Sequence, residues 1–466
     1  MTTSTGAAPL TQGERTRRGI VLVVMCAGMF LILLDVTIVN VALPSIGTGL
    51  GAGVSDLQWV VDAYGVAIAA LLIAGGAVGD RRGHRGVVVA GLAVFGCASL
   101  ACGLAPGVAV LVAARVVQGV GAALLLPGTL AIITRAFPEP RERARAVGVW
   151  AASASLALPG GPLVGGALTS WLGWRAVFVV NAPVVAVAIA ATLRWVARDR
   201  PAVAARVDVR GAVLAAVTLG SVVFAVITAG RTDGLSVVVL VAAGVAVVAL
   251  AGFVVVERRV ADPMLPFGLL RVRAFVGANL VAASMNTVGQ GVPFVLTLYL
   301  QRVLHYSPVL AGLAALPMFA PLVLLSPVSG RLTARFGARV PMAAGLLLGA
   351  AGMATLLGLP PGAAYGDLVL ALLGLGVGMG LLTAAVVTAA MSSVPSGKSG
   401  LASGVNNTAR QAAGAIGVAV FGAVAGDPAS AGFLGGLHRV ALISMVLWTA
   451  AAALTVWTVR TARDRP

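Results

Sequence analysis

Four ionisable residues, Asp35, Asp62, Arg115 and Arg410, stand inside long apolar runs. An ionisable group inside a membrane span costs at least about 2.5–3.5 kcal/mol, so each is a functional candidate. A carboxylate in such a place can trade protons. Desolvation favours its neutral form and a nearby cation its charged form. Asp35 lies eight residues before the end of the first apolar run, near Leu43, and Arg115 eight residues after the start of the fourth, near Gly107. At about 1.5 Å per residue, both sit about 12 Å below the same surface. Asp35 is therefore expected to carry a proton, tuned by Arg115 and by Gln118 one turn along. The other reading is a static ion pair that only fixes helix packing. Asp62, nearer the outer surface, reads either as a second proton or cation site or as an interfacial residue in water.

The elements that must hold these groups are membrane helices. The chain has 466 residues, 59% of them hydrophobic and only 10% charged. A soluble domain is typically about 25% charged. Reading runs of about 20 apolar residues gives fourteen spans. They include 20–43, 107–133, 145–168, 274–300, 309–328 and 401–424. The 60 glycines suit close helix packing in lipid. Of the 32 Lys and Arg residues, only Arg175, Arg231, Arg302 and Arg439 fall in alternate loops assigned to the outside. Apart from Arg115 and Arg410, the rest fall in loops assigned to the cytoplasm. That bias places both termini inside. A cleaved signal peptide does not fit the first run, which is too long and contains Asp35.

The net charge of +17 does not indicate nucleic-acid binding, because the charges fall at intervals between apolar runs. Cys26, Cys97 and Cys102 lie in apolar stretches with no disulfide or metal spacing. The segment SVPSGKSG (393–400) has Ser392 where a P-loop needs its first glycine, and it follows no strand. With three histidines and no nucleophile–base grouping, an enzyme is not expected.

The chain repeats itself. GAVGDRRGHR (76–85) matches GRLTARFGAR (330–339) at Gly76 and Gly330, Arg81 and Arg335, Gly83 and Gly337, Arg85 and Arg339. Both copies fall in cytoplasmic loops, which implies parallel halves. Transporters are commonly built from such repeats, with the substrate site between them. The expected architecture is an all-α polytopic membrane protein. A six-helix bundle (1–200) is followed by a linker with two extra spans (201–260) and a second six-helix bundle (261–466).

Several segments resemble the major facilitator superfamily, and within it the fourteen-helix drug:proton antiporters. They are LDVTIVNVALPSI (34–46), QWVVDAY (58–64), GAVGDRRGHRG (76–86), LVAARVVQGVGAA (111–123), Gly148 with GPLVGG (161–166), WRAVFVVNAP (174–183), ADPMLPFGLL (261–270) and SGLASGVNNTARQ (399–411). His84 departs from the family's arginine, and Ala157 from its second helix-five glycine.

The resemblance implies a proton-coupled exporter of drug-like or antibiotic molecules in a bacterial cell membrane. A proton-coupled importer on the same fold is the alternative. The partners implied are a small-molecule substrate, protons and membrane lipid, with no nucleic acid. No cofactor is expected, since the proton gradient supplies energy, and a monomer is the default. The resemblance also puts the first and fourth helices side by side on a central cavity, and the polar positions of the spans offer Gln118, Asn286, Gln290, Asn406 and Arg410 as its expected lining. For the polar side chains of spans nine and thirteen, interhelical hydrogen bonding is the competing role. Gly76, Asp80, Arg81, Gly83 and Arg85 would form a cytoplasmic latch, with Asp80 meeting the start of span thirteen and Glu139 or Glu142 joining the arginines. The competing reading of these arginines is a topology signal. Gly148, Gly161, Pro162, Gly165 and Gly166 would form the antiporter motif, or serve ordinary tight packing.

Overall fold

A computed structural model describes residues 12–198, 208–231, 236–260, 263, 265, 267–394 and 399–459. Lys398 and the arginines at 200, 206, 460, 463 and 465 lie outside the described residues, as does part of segment 261–270.

The first bundle comprises α1 (Gln12–Leu50), α2 (Val54–Arg82), α3 (His84–Gly103), α4 (Val108–Ala136), α5 (Pro140–Leu172), α6 (Ala176–Val179) and α7 (Asn181–Trp195). A hairpin of α8 (Val209–Arg231) and α9 (Val237–Arg259) follows. The second bundle comprises α10 (Arg273–Leu298), α11 (Pro308–Ala314), α12 (Leu316–Phe336), α13 (Arg339–Thr355), α14 (Tyr365–Ser392), α15 (Ser399–Ala425) and α16 (Phe433–Thr458).

Among the described residues, twelve helical segments are long and apolar enough to cross a membrane. Helices α5 and α10 fall outside that set. The reason is composition: α5 opens on a charged turn and carries a polar, glycine-rich middle, and α10 carries Asn279, Asn286 and Gln290. Large apolar side chains face outward on the spans, among them Val187, Val248, Leu324 and Trp457. In lipid that exposure carries no penalty, so the bundle needs no polar exterior.

Two expected spans are broken. The tenth was expected as one run over 309–328. It divides at Ala315 into α11 and α12 and continues to Phe336. Pro317 has no N–H to give the Leu313 carbonyl, so the helical hydrogen-bond ladder is interrupted at this point. The sixth divides at Val180 into α6 and α7.

The halves repeat in packing as well as in sequence. In the first, α1 packs on α5, α2 and α3 on α4, and α3 on α7. In the second, α10 packs on α15, α12 and α13 on α14, and α13 on α16. The repeat glycines Gly83 and Gly337 both take positive φ, 91° and 82°, where they end α2 and α12. Only glycine adopts that backbone region at little cost.

The α8–α9 hairpin lies at the edge of this pair. Val223 and Ile227 of α8 pack against Ala415 and Ala419 of α15, with Trp59 and Val66 of α2 alongside. The hairpin thus covers the seam where α2 of one half meets α15 of the other.

Candidate functional site

Asp35 comes from the middle of α1 and Arg115 from the first half of α4. Both are fully buried and form an ion pair, Arg115 Nη1 donating to Asp35 Oδ2. The depth arithmetic therefore placed them correctly on one level. The pair sits in a hydrogen-bond network. Arg115 also donates through Nε to the Val60 carbonyl at 2.9 Å and through Nη1 to Gln118 Oε1 at 2.8 Å. Its guanidinium lies over the Tyr64 ring at 4.2 Å. The Gln118 amide donates to Asp35 Oδ1 at 2.9 Å and to Ser99 Oγ at 3.2 Å. Asn181 Nδ2 donates to Ser99 Oγ at 3.0 Å and to Asp35 Oδ1 at 3.4 Å. A buried ion pair needs such satisfaction of its remaining donors and acceptors to offset desolvation.

Asn181 and Ser99 were not singled out from the sequence. Asn181 opens α7 just after the break at Val180, within WRAVFVVNAP. An asparagine there, at the start of an apolar run, was the available signal. Ser99 is a common helix residue and gave none.

A small cavity lies between the halves. It is lined by Val36, Val61, Tyr64, Gly65 and Arg115 from the first half, and by Gln290 and Gln411 from the second. Arg115 thus links the buried pair to the central space. Gln118 was expected in the cavity lining and is not there. It is fully buried, because its amide bridges Asp35 and Ser99.

The other polar residues of the second half divide. Gln290 lines the cavity. Asn406 donates instead to Asn279 Oδ1 of α10 at 3.1 Å, and Asn286 to the Ala282 carbonyl of its own helix at 3.0 Å. Arg410 is half-buried, with its Nε unbonded among the described residues.

Asp62 is not an interfacial residue in water. It is 0% exposed, and neither carboxylate oxygen has a hydrogen-bond partner among the described residues. It lies one turn from Gln58, which donates to the Val418 and Ala419 carbonyls of α15 at 3.2 and 2.8 Å. Asp62 lies on the same face of α2 as Trp59 and Val66, the face that packs on α8 and α15.

In the expected latch, Asp80 pairs with His84 at 3.0 Å, and its side chain is 56% exposed. Residues 399 and 400, its expected partners on α15, have no described side chains. Glu142 bonds Arg18 at 3.2 Å. The Arg85 guanidinium donates to the Leu193 carbonyl at 2.5 Å. Arg81 is exposed, and Gly76 faces Pro127 of α4.

The glycines of α5 have two faces. A Cβ on Gly161 or Gly165 would press into Ile38 of α1, within 2.9 Å of its N and 2.8 Å of its O respectively. A Cβ on Gly166 would press into Pro308 of α11, 2.7 Å from its carbonyl oxygen. Gly148 faces open space, so it makes no close helix contact. Gly165→Val should therefore force α5 from α1 and cost about 1–3 kcal/mol. Gly148→Ala should leave stability unchanged. Melting of the purified protein in detergent checks both. A Gly165→Val melting point equal to wild type would contradict the packing.

Two repeated helical halves around a shared cavity, with an ion pair buried at its edge, define the architecture of a secondary transporter. The chain belongs to the Major Facilitator Superfamily, whose family model matches residues 25–418, and it is a multi-pass membrane protein. It is 37% identical over 400 residues to multidrug resistance protein Stp of Mycobacterium tuberculosis, covering 85% of this chain and 74% of that protein. It is 39% identical over 420 residues to puromycin resistance protein pur8 of Streptomyces alboniger, covering 89% and 83%. It is 33% identical over 429 residues to multidrug efflux pump LfrA of Mycolicibacterium smegmatis, covering 91% and 84%. Among solved structures, a POT family transporter in complex with 5-aminolevulinic acid superposes with a TM-score of 0.71. It covers 95% of this chain and 96% of that one at 15% identity, a likeness of fold.

Proposed function

We propose that this protein is a proton-coupled antiporter that exports small amphipathic, drug-like or antibiotic molecules by alternating access. The observation that carries this reading is the Asp35–Arg115 pair, whose guanidinium also lines the cavity between the halves. A cationic group entering that cavity and a proton arriving at Asp35 compete for one carboxylate charge, that of Asp35. Such competition couples two ligands, because each weakens the hold of the other. The names of the relatives, which speak of resistance and efflux, support export as the direction.

Asp62 is the second proton site in this scheme. Burying an unpaired charge is far costlier than burying a neutral acid. Asp62 is therefore carried neutral while α2 and α15 are closed, and it exchanges its proton when they part. The halves are joined at the end away from the arginine-rich loops. There Gln301 donates to the Val41 carbonyl at 2.8 Å and Arg302 to that of Pro44 at 2.9 Å. This is the arrangement of a transporter closed to the outside. Helices α5 and α10 complete fourteen spans, both termini are cytoplasmic, and the monomer is the working unit in a bacterial cell membrane. Asp80 latches the arginine-rich end when the cavity faces outward. No cofactor is needed, since the proton gradient drives the cycle.

The test is dye accumulation in a drug-sensitive host. Expression should lower it several-fold, and an uncoupler should restore it. Lowered accumulation that survives the uncoupler would remove proton coupling, and unchanged accumulation would remove export of the dye.

A further inference from the structure

A second site lies at the arginine-rich end, away from the central cavity. The first turns of α1 and the last turn of α7 enclose a cleft lined by Thr16, Arg17, Ile20, Arg194 and Trp195. Arg17 Nε donates to the Trp195 carbonyl at 2.9 Å, which fixes the guanidinium across the cleft. That acceptor is neutral, so the positive charge is not compensated. Among the described residues neither Arg17 nor Arg194 has a carboxylate partner. The neighbouring acid Glu142 is taken by Arg18, and Glu14 does not line the cleft.

The surface beneath the cleft is apolar and open. Val23 lies on the same face of α1 as Thr16 and Ile20, and is 68% exposed. Val187 lies two turns below Arg194 on α7 and is 69% exposed. Two guanidinium groups therefore stand above a hydrocarbon track, with a half-buried tryptophan at their level. Tryptophan prefers the headgroup layer. Basic pockets between spanning helices on the cytoplasmic side suit anionic lipid headgroups.

We infer that this cleft binds the phosphate of an anionic glycerophospholipid, with its acyl chains lying along Val23 and Val187. The lipid ties the lead-in of α1 to the end of α7, the first and last elements of the first bundle. Free phosphate shares the headgroup chemistry but lacks the hydrocarbon, so it should bind far more weakly. The inference needs only the membrane placement of these helices, and it stands whether or not the protein exports drugs.

Native mass spectrometry of the full chain, released from nanodiscs of phosphatidylglycerol and phosphatidylcholine, tests it. Wild type should retain phosphatidylglycerol selectively. The double variant Arg17→Gln/Arg194→Gln should retain about tenfold less. Arg331→Gln, an exposed arginine of the second bundle, should retain as much as wild type. A melting point of the double variant in pure phosphatidylcholine equal to wild type separates lost binding from lost folding. In a parallel arm, phosphatidylglycerol should raise the melting point and millimolar inorganic phosphate should not. Undiminished retention by the double variant, equal retention of both lipids, or equal protection by phosphate would each overturn the inference.

Discussion

Replacing Arg115 by methionine is expected to abolish transport and to destabilise the protein by about 3–5 kcal/mol. The variant keeps the length and apolar stem of the side chain and removes the charge. Asp35 then has only the neutral amides of Gln118 and Asn181 for company. Its counter-charge is gone while its burial is unchanged. The Val60 carbonyl also loses the Arg115 donor, and Gln118 Oε1 keeps only the weak Cys102 thiol. Lysine should restore stability only in part, since one ammonium cannot copy a planar fork aimed at three acceptors. Its flexible stem also loses the position over Tyr64. The informative variant is Asp35→Asn combined with Arg115→Met. Removing both charges should recover most of the lost stability, because no buried charge is left alone. Transport should stay at background. Melting in detergent and dye efflux from cells read the two effects separately. If the double variant exported dye against a gradient, the pair would be structural.

The sequence determined the height of these residues and much less of their azimuth. Depth follows from counting along a helix, and Asp35 and Arg115 duly meet. Rotation around the helix axis decides whether a side chain faces cavity, neighbour or lipid. In α4 the apolar positions run all the way round, so periodicity gives no facing direction. Gln118 was consequently placed in the cavity when it points at Ser99 and Asp35. Asp62 was left between water and protein for the same reason. Its true surroundings depend on α8, a helix more than a hundred residues away in sequence. The repeat was legible because Gly83 and Gly337 do a local job. Each ends a helix in a backbone region that other residues adopt only at a cost, so both halves need glycine at this position. The breaks at Val180 and Ala315 were hidden by hydropathy, which registers composition and not helix continuity. The same limit acts in reverse on α10. There, amides that bond across to α15 or within the helix lower the mean hydropathy of a 26-residue helix in the middle of the bundle.

Asp35→Asn is expected to leave a folded protein that no longer couples substrate to protons. Asparagine is nearly isosteric, and its carbonyl oxygen can still accept from Gln118 and Asn181, while its NH2 group replaces the oxygen that accepted from Arg115. Arg115 loses its counter-charge but keeps the Val60 carbonyl, Gln118 Oε1 and the Tyr64 ring, a face that attracts cations. The stability loss should therefore be smaller than for Arg115→Met. The functional loss should be complete in one respect. A group that cannot bind or release a proton cannot exchange one for substrate. In proteoliposomes, wild type should release protons on adding substrate, and the variant should release none. Facilitated movement of substrate down its own gradient can persist, since the cavity lined by Gln290, Gln411 and Arg115 is intact. Adding Asp62→Asn separates the two acids. If Asp62 is the second proton site, its single variant should reduce the protons released per substrate without abolishing release. Proton release by Asp35→Asn equal to wild type would show that the first-helix acid is only a packing partner for Arg115.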